Sequence, residues 1–306
     1  MTAPAAHAAR PPLALLLDVD GPVASPETRQ VKPEIISELI ALATAGVPVI
    51  FNTGRSDSFI KEQVMTPMLA AGIPEGVTIH AICEKGAVWF SFDSKGDSQI
   101  QVDRELAVPA AYAQSVLELV EREFTDHMFY DHTKHAMVSV EQRTDVSNKD
   151  YLAVQGAFDQ KALELMGQHG LSATILDHTK SASVAELRSD DGPDFQLDPT
   201  IISTDIESVH LGKDLGASRA VELLTAAGIA PLAWRTVGDS RTDYAMADWL
   251  HHHNHEVKHV DVRPADGVPE KPYQVLTASD LGLGPEVIHD HAGGAFLRRW
   301  REEFAG

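Results

Sequence analysis

A short apolar run that ends abruptly in acidic residues constrains the fold of this chain more than any other feature of its sequence. Residues 13–17 are all Leu or Ala, and Asp18-Val-Asp-Gly21 follows them directly. Continuous apolar runs of this length, ended by a turn signal, are typical of strands buried on both faces of a parallel sheet. The sequence therefore predicts an α/β fold with carboxylates at the end of a central strand.

The alternation of strands and helices continues at both ends of the chain. Amphipathic helical patterns occupy residues 33–46 and 213–227, and apolar runs at 47–51 and 233–237 each lead into a polar loop. Strands that alternate with helices favour a parallel sheet flanked by helices. We therefore expect both ends of the chain to build one α/β core.

A middle region of about 90 residues interrupts this core and predicts a second, inserted α/β domain. Helical patterns at 109–124 and 148–168 occur there, and an apolar segment at 183–187 is among its predicted strands. The predicted bounds are 1–12 for a disordered tail, 13–107 and 199–306 for the core, and 108–198 for the insert.

The charge and the apolar pattern exclude several classes of function. With 25 Lys and Arg against 45 Asp and Glu, the formal net charge is −20. This charge repels phosphates and anionic lipids, so we expect neither a nucleic-acid nor a membrane partner. The run at 13–17 is too short for a signal peptide, and Cys83 is the single cysteine, so we expect a cytoplasmic protein. An anionic substrate would need a local cation, for which a divalent metal is the usual solution.

Four short polar segments follow predicted strands or begin predicted helices, where ligands bind in open α/β sheets. They are Asp18-Val-Asp-Gly21, Asn52-Thr-Gly-Arg55, Leu211-Gly-Lys-Asp-Leu215 and Gly238-Asp-Ser-Arg-Thr-Asp243. Each one alone has an ordinary explanation as a turn, a helix cap or a solvated charge. Their shared placement favours a functional site.

Two pairs of acids give these segments the chemistry of a metal-assisted reaction. Asp18 and Asp20 stand at positions i and i+2 where a strand gives way to a turn. One can attack as a nucleophile while the other moves a proton, and both offer oxygen ligands to a hard cation. Asp239 and Asp243, at i and i+4 after another strand, suit magnesium with waters in its shell.

The remaining two segments can hold an anion. The Thr53 hydroxyl and backbone N–H groups at the start of a helix form an anion seat. Lys213, at the start of another helix, can neutralise phosphate oxygens. Each of these two segments can therefore hold an anion, although a helix cap or a solvated charge explains either one alone.

Taken in this order, the segments resemble the haloacid dehalogenase-like (HAD) phosphatase superfamily. The matching residues are Leu15-Leu-Leu-Asp-Val-Asp-Gly21, Phe51-Asn-Thr-Gly-Arg55, Lys213 and Val237-Gly-Asp-Ser-Arg-Thr-Asp243. The chain looks most similar to the Cof-type and sugar-phosphatase branch, and the insert is placed like a C2-type cap. The resemblance implies a Rossmann-like core with a parallel sheet flanked by helices, plus an inserted α/β cap over the crevice.

The resemblance also implies a role for each matching residue. Asp18 would be the nucleophile that forms an aspartyl-phosphate, and Asp20 would protonate the leaving group and then activate water. The implied catalytic residues are Asp18, Asp20, Thr53 and Lys213; the implied phosphate- or substrate-binding residues are Gly21, Gly54 and Arg55; and the implied Mg²⁺ ligands are Asp18, the backbone carbonyl of Asp20, Asp239 and, in or near the metal shell, Asp243. Three residues depart from the family pattern: Pro22 replaces a usual Thr, Thr242 a common Asn, and Lys85 the Asn of a turn.

We therefore hypothesise a Mg²⁺-dependent phosphatase acting on a small phosphorylated metabolite, with a phosphosugar as the first choice. Two alternatives remain open: a phosphomannomutase-like phosphotransferase, and a non-catalytic protein that senses a phosphorylated ligand. The sequence does not indicate an oligomeric state. For His251-His-His-Asn-His255 a solvated helix end is favoured over a metal site.

Overall fold

The computed structural model describes residues 8–177 and 187–305 and divides the chain into two compact units. The first comprises Met1–Gln101 and Gly212–Gly306, and the second comprises Val102–Leu211. The second unit therefore extends beyond both ends of the predicted insert, 108–198. It ends later because the strand Ser203–Ser208, predicted as part of the core, pairs with strands of the second unit.

Strands and helices alternate through most of the chain. In chain order the described strands are β1 (Ala14–Leu17), β2 (Val49–Asn52), β3 (Ile79–Cys83), β4 (Val88–Asp93), β5 (Gly96–Asp97), β6 (Gln101–Val102), β7 (Met128–Tyr130), β8 (Val138–Gln142), β9 (Ala173–Ile175), β10 (Phe195–Pro199), β11 (Ser203–Ser208), β12 (Trp234–Gly238), β13 (Val257–Asp261) and β14 (Gln274–Leu276). The α-helices with described bounds are α1 (Pro33–Thr44), α2 (Asp57–Ile60), α3 (Thr66–Ala71), α4 (Ala110–Glu123), α5 (Asn148–Gln168), α6 (Lys213–Ala226), α7 (Tyr244–His252) and α8 (His289–Phe304).

A mostly parallel sheet forms the centre of the first unit. Its strands lie in the order β14-β13-β12-β1-β2-β3-β4-β5, and every neighbouring pair from β14 to β3 is parallel. The four residues of β1 are all buried between β2 and β12, which explains the continuous apolar run. The predicted fold class, a parallel α/β sheet flanked by helices, is confirmed.

One predicted helix of the first unit is interrupted. Residues 56–71 form α2, a π-helical turn at Lys61–Met65, and then α3. Pro67 has no backbone N–H to donate to the preceding turn. Lys61 O accepts from both the backbone N–H and the hydroxyl of Thr66, which closes the π-helical turn. A proline near a helix centre explains why the regular pattern does not continue.

The second unit is built on its own sheet, in the order β7-β8-β11-β10-β9. Helices α4 and α5 contribute Tyr112, Val116 and Phe158 to its buried core, and the Tyr112 hydroxyl donates to Ala162 O at 3.0 Å. Both helices match the predicted ones. The predicted strand at 183–187 lies, apart from its last residue, outside the described residues. The assignment of this unit as a C2-type cap stays a prediction.

The described part of the predicted disordered tail, residues 8–12, is fixed to the first unit. Ala9 N donates to Gly228 O at 2.8 Å, and Leu232 N donates to Pro11 O at 2.9 Å. Residues 1–7 lie outside the described residues. In the part of the chain that the structure describes, no helix has both the length and the apolar character needed to cross a bilayer.

Candidate active site

The loop after β1 places Asp18 at the carboxyl edge of the central sheet. Asp18 N donates to Val237 O at 2.9 Å, which continues the pairing of β1 with β12, and Asp18 is only 7% exposed. Gly21 has φ +95°, and a Cβ there would lie 2.6 Å from the Asp239 carboxylate. Glycine is therefore required at position 21 so that the loops carrying Asp18 and Asp239 can approach.

Lys213 lies between two of the predicted acids. Its Nζ is 2.5 Å from Asp18 Oδ1 and 2.9 Å from Asp243 Oδ1, and it donates to Asn52 O at 2.7 Å. The Asn52 amide in turn donates to Lys213 O at 3.0 Å. A Cβ at Gly216 would lie 2.1 Å from Asn52 Oδ1, so α6 needs glycine at this contact. Asn52 thus helps to position Lys213. The sequence assigned Asn52 no role, although a polar amide at the end of an apolar strand could have pointed to it.

Three carboxylates converge at this edge of the sheet. Asp18, Asp239 and Asp243 each offer an oxygen, and these oxygens all lie within 4.8 Å of one another. The Oδ2 atom of Asp243 accepts hydrogen bonds from the backbone N of Asp239 and of Ser240. Asp243 thus holds the loop that carries Asp239 in place, while all three acids offer the hard oxygen donors that Mg²⁺ prefers.

The charges of this cluster do not balance. Burial, and then the neighbouring Asp243, raises the pKa of Asp18 to about 8. Burial also disfavours ionised Asp243, but Lys213 and Ser240 hold the pKa of Asp243 below its ordinary value. Since one lysine compensates for only one carboxylate, the ionised cluster with Asp239 carries excess negative charge. A divalent cation fits both this charge and the oxygen ligands.

The loop after β2 carries Thr53, Gly54 and Arg55. Thr53 is buried, its backbone N donates to Ile82 O, and its hydroxyl oxygen accepts from Arg55 N at 3.1 Å. The Arg55 guanidinium donates from Nε and Nη2 to the two carboxylate oxygens of Asp20, both at 3.0 Å. Arg55, predicted to bind phosphate or substrate, is therefore placed on the predicted proton shuttle; its phosphate role stays a prediction.

The turn after β3 joins two of the predicted segments. Glu84 and Lys85 have φ of +48° and +54°, a left-handed conformation uncommon for residues other than glycine. Lys85 N donates to Thr53 O at 3.0 Å, and Gly212 N donates to Lys85 O at 2.8 Å. The carbon atoms of the Lys85 side chain lie 3.7 Å from where a Cβ on Gly54 would be. Lys85 thus lies over the loop that carries Thr53.

Two residues that the sequence analysis missed contact Asp239. Arg263 Nε donates to the backbone O of Asp239 at 3.0 Å. His289 Nδ1, at the start of α8, lies 3.4 Å from Asp239 Oδ2. Neither residue belongs to a motif, and the distance of each from Asp239 along the chain matches no known ligand spacing. The sequence therefore gives no signal for either residue.

The histidine tract lies at the end of α7. His253 stacks on Trp249 with ring centroids 3.8 Å apart, and its Nδ1 is 2.8 Å from Trp249 O. Trp234 and His255 make an edge contact at 6.1 Å. Both imidazole rings thus pack against tryptophan rings of the described structure.

Comparison with known proteins places this geometry in a recognised fold. No protein-family model matches the sequence, and no curated protein matches it. Among solved structures, the chain is similar to a haloacid dehalogenase-like hydrolase from Bacteroides thetaiotaomicron, with a TM-score of 0.54 at 10% identity over 94% of this chain and 98% of that one. The chain has the haloacid dehalogenase-like fold.

Two further structures agree. A haloacid dehalogenase-like hydrolase from B. subtilis gives a TM-score of 0.51 at 14% identity over 93% of this chain and 98% of that one. A trehalose-6-phosphate phosphatase from Aspergillus fumigatus gives 0.50 at 17% identity over 94% and 93%. The resemblance drawn from the four HAD-like segments is confirmed at the level of the fold.

Proposed function

We propose that this protein is a Mg²⁺-dependent phosphatase that hydrolyses a small phosphorylated metabolite through an aspartyl-phosphate on Asp18. The observation that carries the proposal is the buried contact of Lys213 Nζ with Asp18 at 2.5 Å and with Asp243 at 2.9 Å, beside Asp239. Phosphoryl transfer is mostly positioning and charge neutralisation. A carboxylate that is held beside a buried ammonium group meets both of these requirements.

In the first step, a carboxylate oxygen of Asp18 attacks phosphorus and the bond from phosphorus to the ester oxygen breaks. Asp20 donates a proton to that oxygen, so the alcohol leaves neutral. Arg55, which holds both oxygens of Asp20, stabilises the carboxylate that this transfer leaves. The product of the step is the alcohol and an aspartyl-phosphate on Asp18.

In the second step, Asp20 takes a proton from a water molecule that attacks phosphorus. The bond from phosphorus to Asp18 breaks, which releases inorganic phosphate and restores the carboxylate. Lys213 and the Thr53 hydroxyl offset negative charge on the phosphoryl oxygens in both steps. Mg²⁺ held by oxygens of Asp18 and Asp239 would add further charge neutralisation.

We propose a phosphosugar as the substrate class. The resemblance to the sugar-phosphatase branch supports it, and one protein with a similar fold is named a trehalose-6-phosphate phosphatase. With a net charge of −20, attraction of the phosphate depends on local cations such as Lys213.

Phosphate release from a panel of phosphorylated sugars and cofactor precursors, with and without Mg²⁺, tests the proposal. We expect Mg²⁺-dependent release that Asp18→Asn lowers by at least about a thousandfold. The matched control is Asp145→Asn, an exposed acid of the second unit that should retain wild-type activity. Transfer of phosphate between hydroxyls without release would favour a phosphotransferase instead, and ligand binding without turnover would favour a sensor.

A further inference from the structure

The first residue of α8 brings an imidazole to the predicted metal ligands. His289 Nδ1 lies 3.4 Å from Asp239 Oδ2. This nitrogen is buried and makes no hydrogen bond within the described structure. Buried polar atoms nearly always have a partner, and one that lacks it beside a candidate site calls for an explanation.

The backbone of His289 is held in an unfavourable conformation. Its φ is +51°, in the left-handed region that non-glycine residues seldom adopt. The backbone N of His289 donates to Val262 O at 2.8 Å, and Val262 N donates to Gly238 O at 3.0 Å. His289 is thus tied through Val262 to the residue directly before Asp239. Such conformations persist where the surrounding structure imposes them, and they cluster at functional sites.

The rest of α8 is fixed on the loop after β1. Buried Asp290 pairs with Lys32 at 2.7 Å. A Cβ on Gly293 would lie 2.0 Å from Pro22 O, so the helix packs directly on the backbone that follows Asp20 and Gly21. The start of α8 therefore contacts both acidic loops, and the place of the imidazole is set by packing rather than by a loose end.

We propose that His289 is a positioning residue whose Nδ1–H, 3.4 Å from Asp239 Oδ2, serves as the hydrogen-bond donor to this carboxylate when Mg²⁺ is bound and so orients it for the metal. The inference rests on the proposed function, since it takes Asp239 as a metal ligand. Donors behind a ligating carboxylate fix which of its oxygens faces the metal, and their loss weakens metal binding. The hydrogen bond from Arg263 Nε goes to the backbone oxygen of Asp239, so that hydrogen bond fixes the main chain rather than the carboxylate.

Three variants of the full-length protein separate the side chain from the backbone. His289→Gly removes the imidazole and relaxes the positive φ, so the variant should stay folded. His289→Asn tolerates the same φ and restores a nitrogen donor close to the position of Nδ1. His291→Ala is the matched control: it lies two residues further along α8 and contacts Lys32 instead of Asp239.

Calorimetric titration with Mg²⁺ alone is the readout, with thermal melting to confirm folding. We expect His289→Gly to raise the Kd for Mg²⁺ by roughly 10- to 100-fold. His289→Asn should recover most of the lost affinity, and His291→Ala should bind Mg²⁺ like the wild type. In phosphate-release assays, the Mg²⁺ concentration for half-maximal rate should rise for His289→Gly, while the rate at saturating Mg²⁺ stays near that of the wild type.

Two results would overturn the inference without touching the proposed function. One is folded His289→Gly that binds Mg²⁺ as tightly as the wild type, and the other is His289→Asn that binds as weakly as His289→Gly. If the wild-type protein itself bound no Mg²⁺, both the inference and the metal dependence in the proposed function would fail.

Discussion

Each unit of the molecule buries an acid, and the two surroundings differ in kind. In the second unit, Asp159 on α5 is 5% exposed and accepts a hydrogen bond from the Thr204 hydroxyl at 2.7 Å. Burial raises its pKa to about 6. In the first unit, Asp18 lies among other carboxylates and against the ammonium of Lys213, and its pKa is raised to about 8.

The difference between the surroundings of Asp159 and Asp18 shows which structural feature distinguishes a candidate reactive acid from a structural one. Burial raises the pKa of both acids, so a perturbed carboxyl alone does not mark a site. At Asp159 the described hydrogen bond comes from a neutral hydroxyl and belongs to the packing of the second unit. At Asp18 several acids and a buried cation converge at the carboxyl ends of parallel strands, where this architecture binds ligands. Convergence of charge, rather than burial, separates the two acids.

Among the substitutions that test this comparison, removal of the Lys213 ammonium group should have the largest effect on stability and activity. In Lys213→Met, Asp18 and Asp243 lose their buried partner, so we expect stability to fall by about 3–5 kcal/mol and phosphate release to fall by at least roughly 10²-fold. Urea unfolding at neutral pH and the phosphate assay measure the two losses. The matched control is Lys161→Met, a lysine of the second unit that pairs with Glu123. Wild-type activity in Lys213→Met would contradict the role given to Lys213.

Neutralising Asp159, the buried acid of the second unit, should change stability less than Lys213→Met does, and should raise it at neutral pH. The folded-state pKa of Asp159 is raised from 3.8 to about 6, so its stabilising contribution is complete below 3.8 and is lost as the pH rises through 6. We expect Asp159→Asn to match the wild type near pH 4 and to be more stable at pH 7 by up to roughly 3 kcal/mol. Urea unfolding across this range is the measurement, and phosphate release should not change. Lower stability of Asp159→Asn at pH 7 would contradict this assignment.

The local parts of the fold and site follow from the sequence. The run at β1 and the acids after it need only a buried strand and a turn, so Asp18, Asp20 and Asp239 could be placed at one sheet edge from short-range pattern alone. The same holds for Lys213 at the start of α6. These residues lie close together because parallel strands bring their carboxyl ends to one edge of the sheet.

Features set by long-range packing do not follow from the sequence. Strands β10 and β11 interleave polar residues with apolar ones, and their pairing with β8 and β9 depends on the fold of the second unit. The contact of Arg55 with Asp20 joins two loops of different strands. His289 reaches Asp239 only because α8 packs on the first unit, and no local propensity records such a contact.

The role of Asp18 as the phosphorylated nucleophile is tested most directly by trapping the covalent intermediate. The full-length protein is mixed with Mg²⁺ and a phosphosugar that it hydrolyses, quenched in acid within one turnover, digested and analysed by mass spectrometry. We expect a phosphoryl group on the peptide that contains Asp18, and none in Asp18→Asn. A phosphoryl group on another residue, or wild-type turnover by Asp18→Asn, would contradict the proposed mechanism.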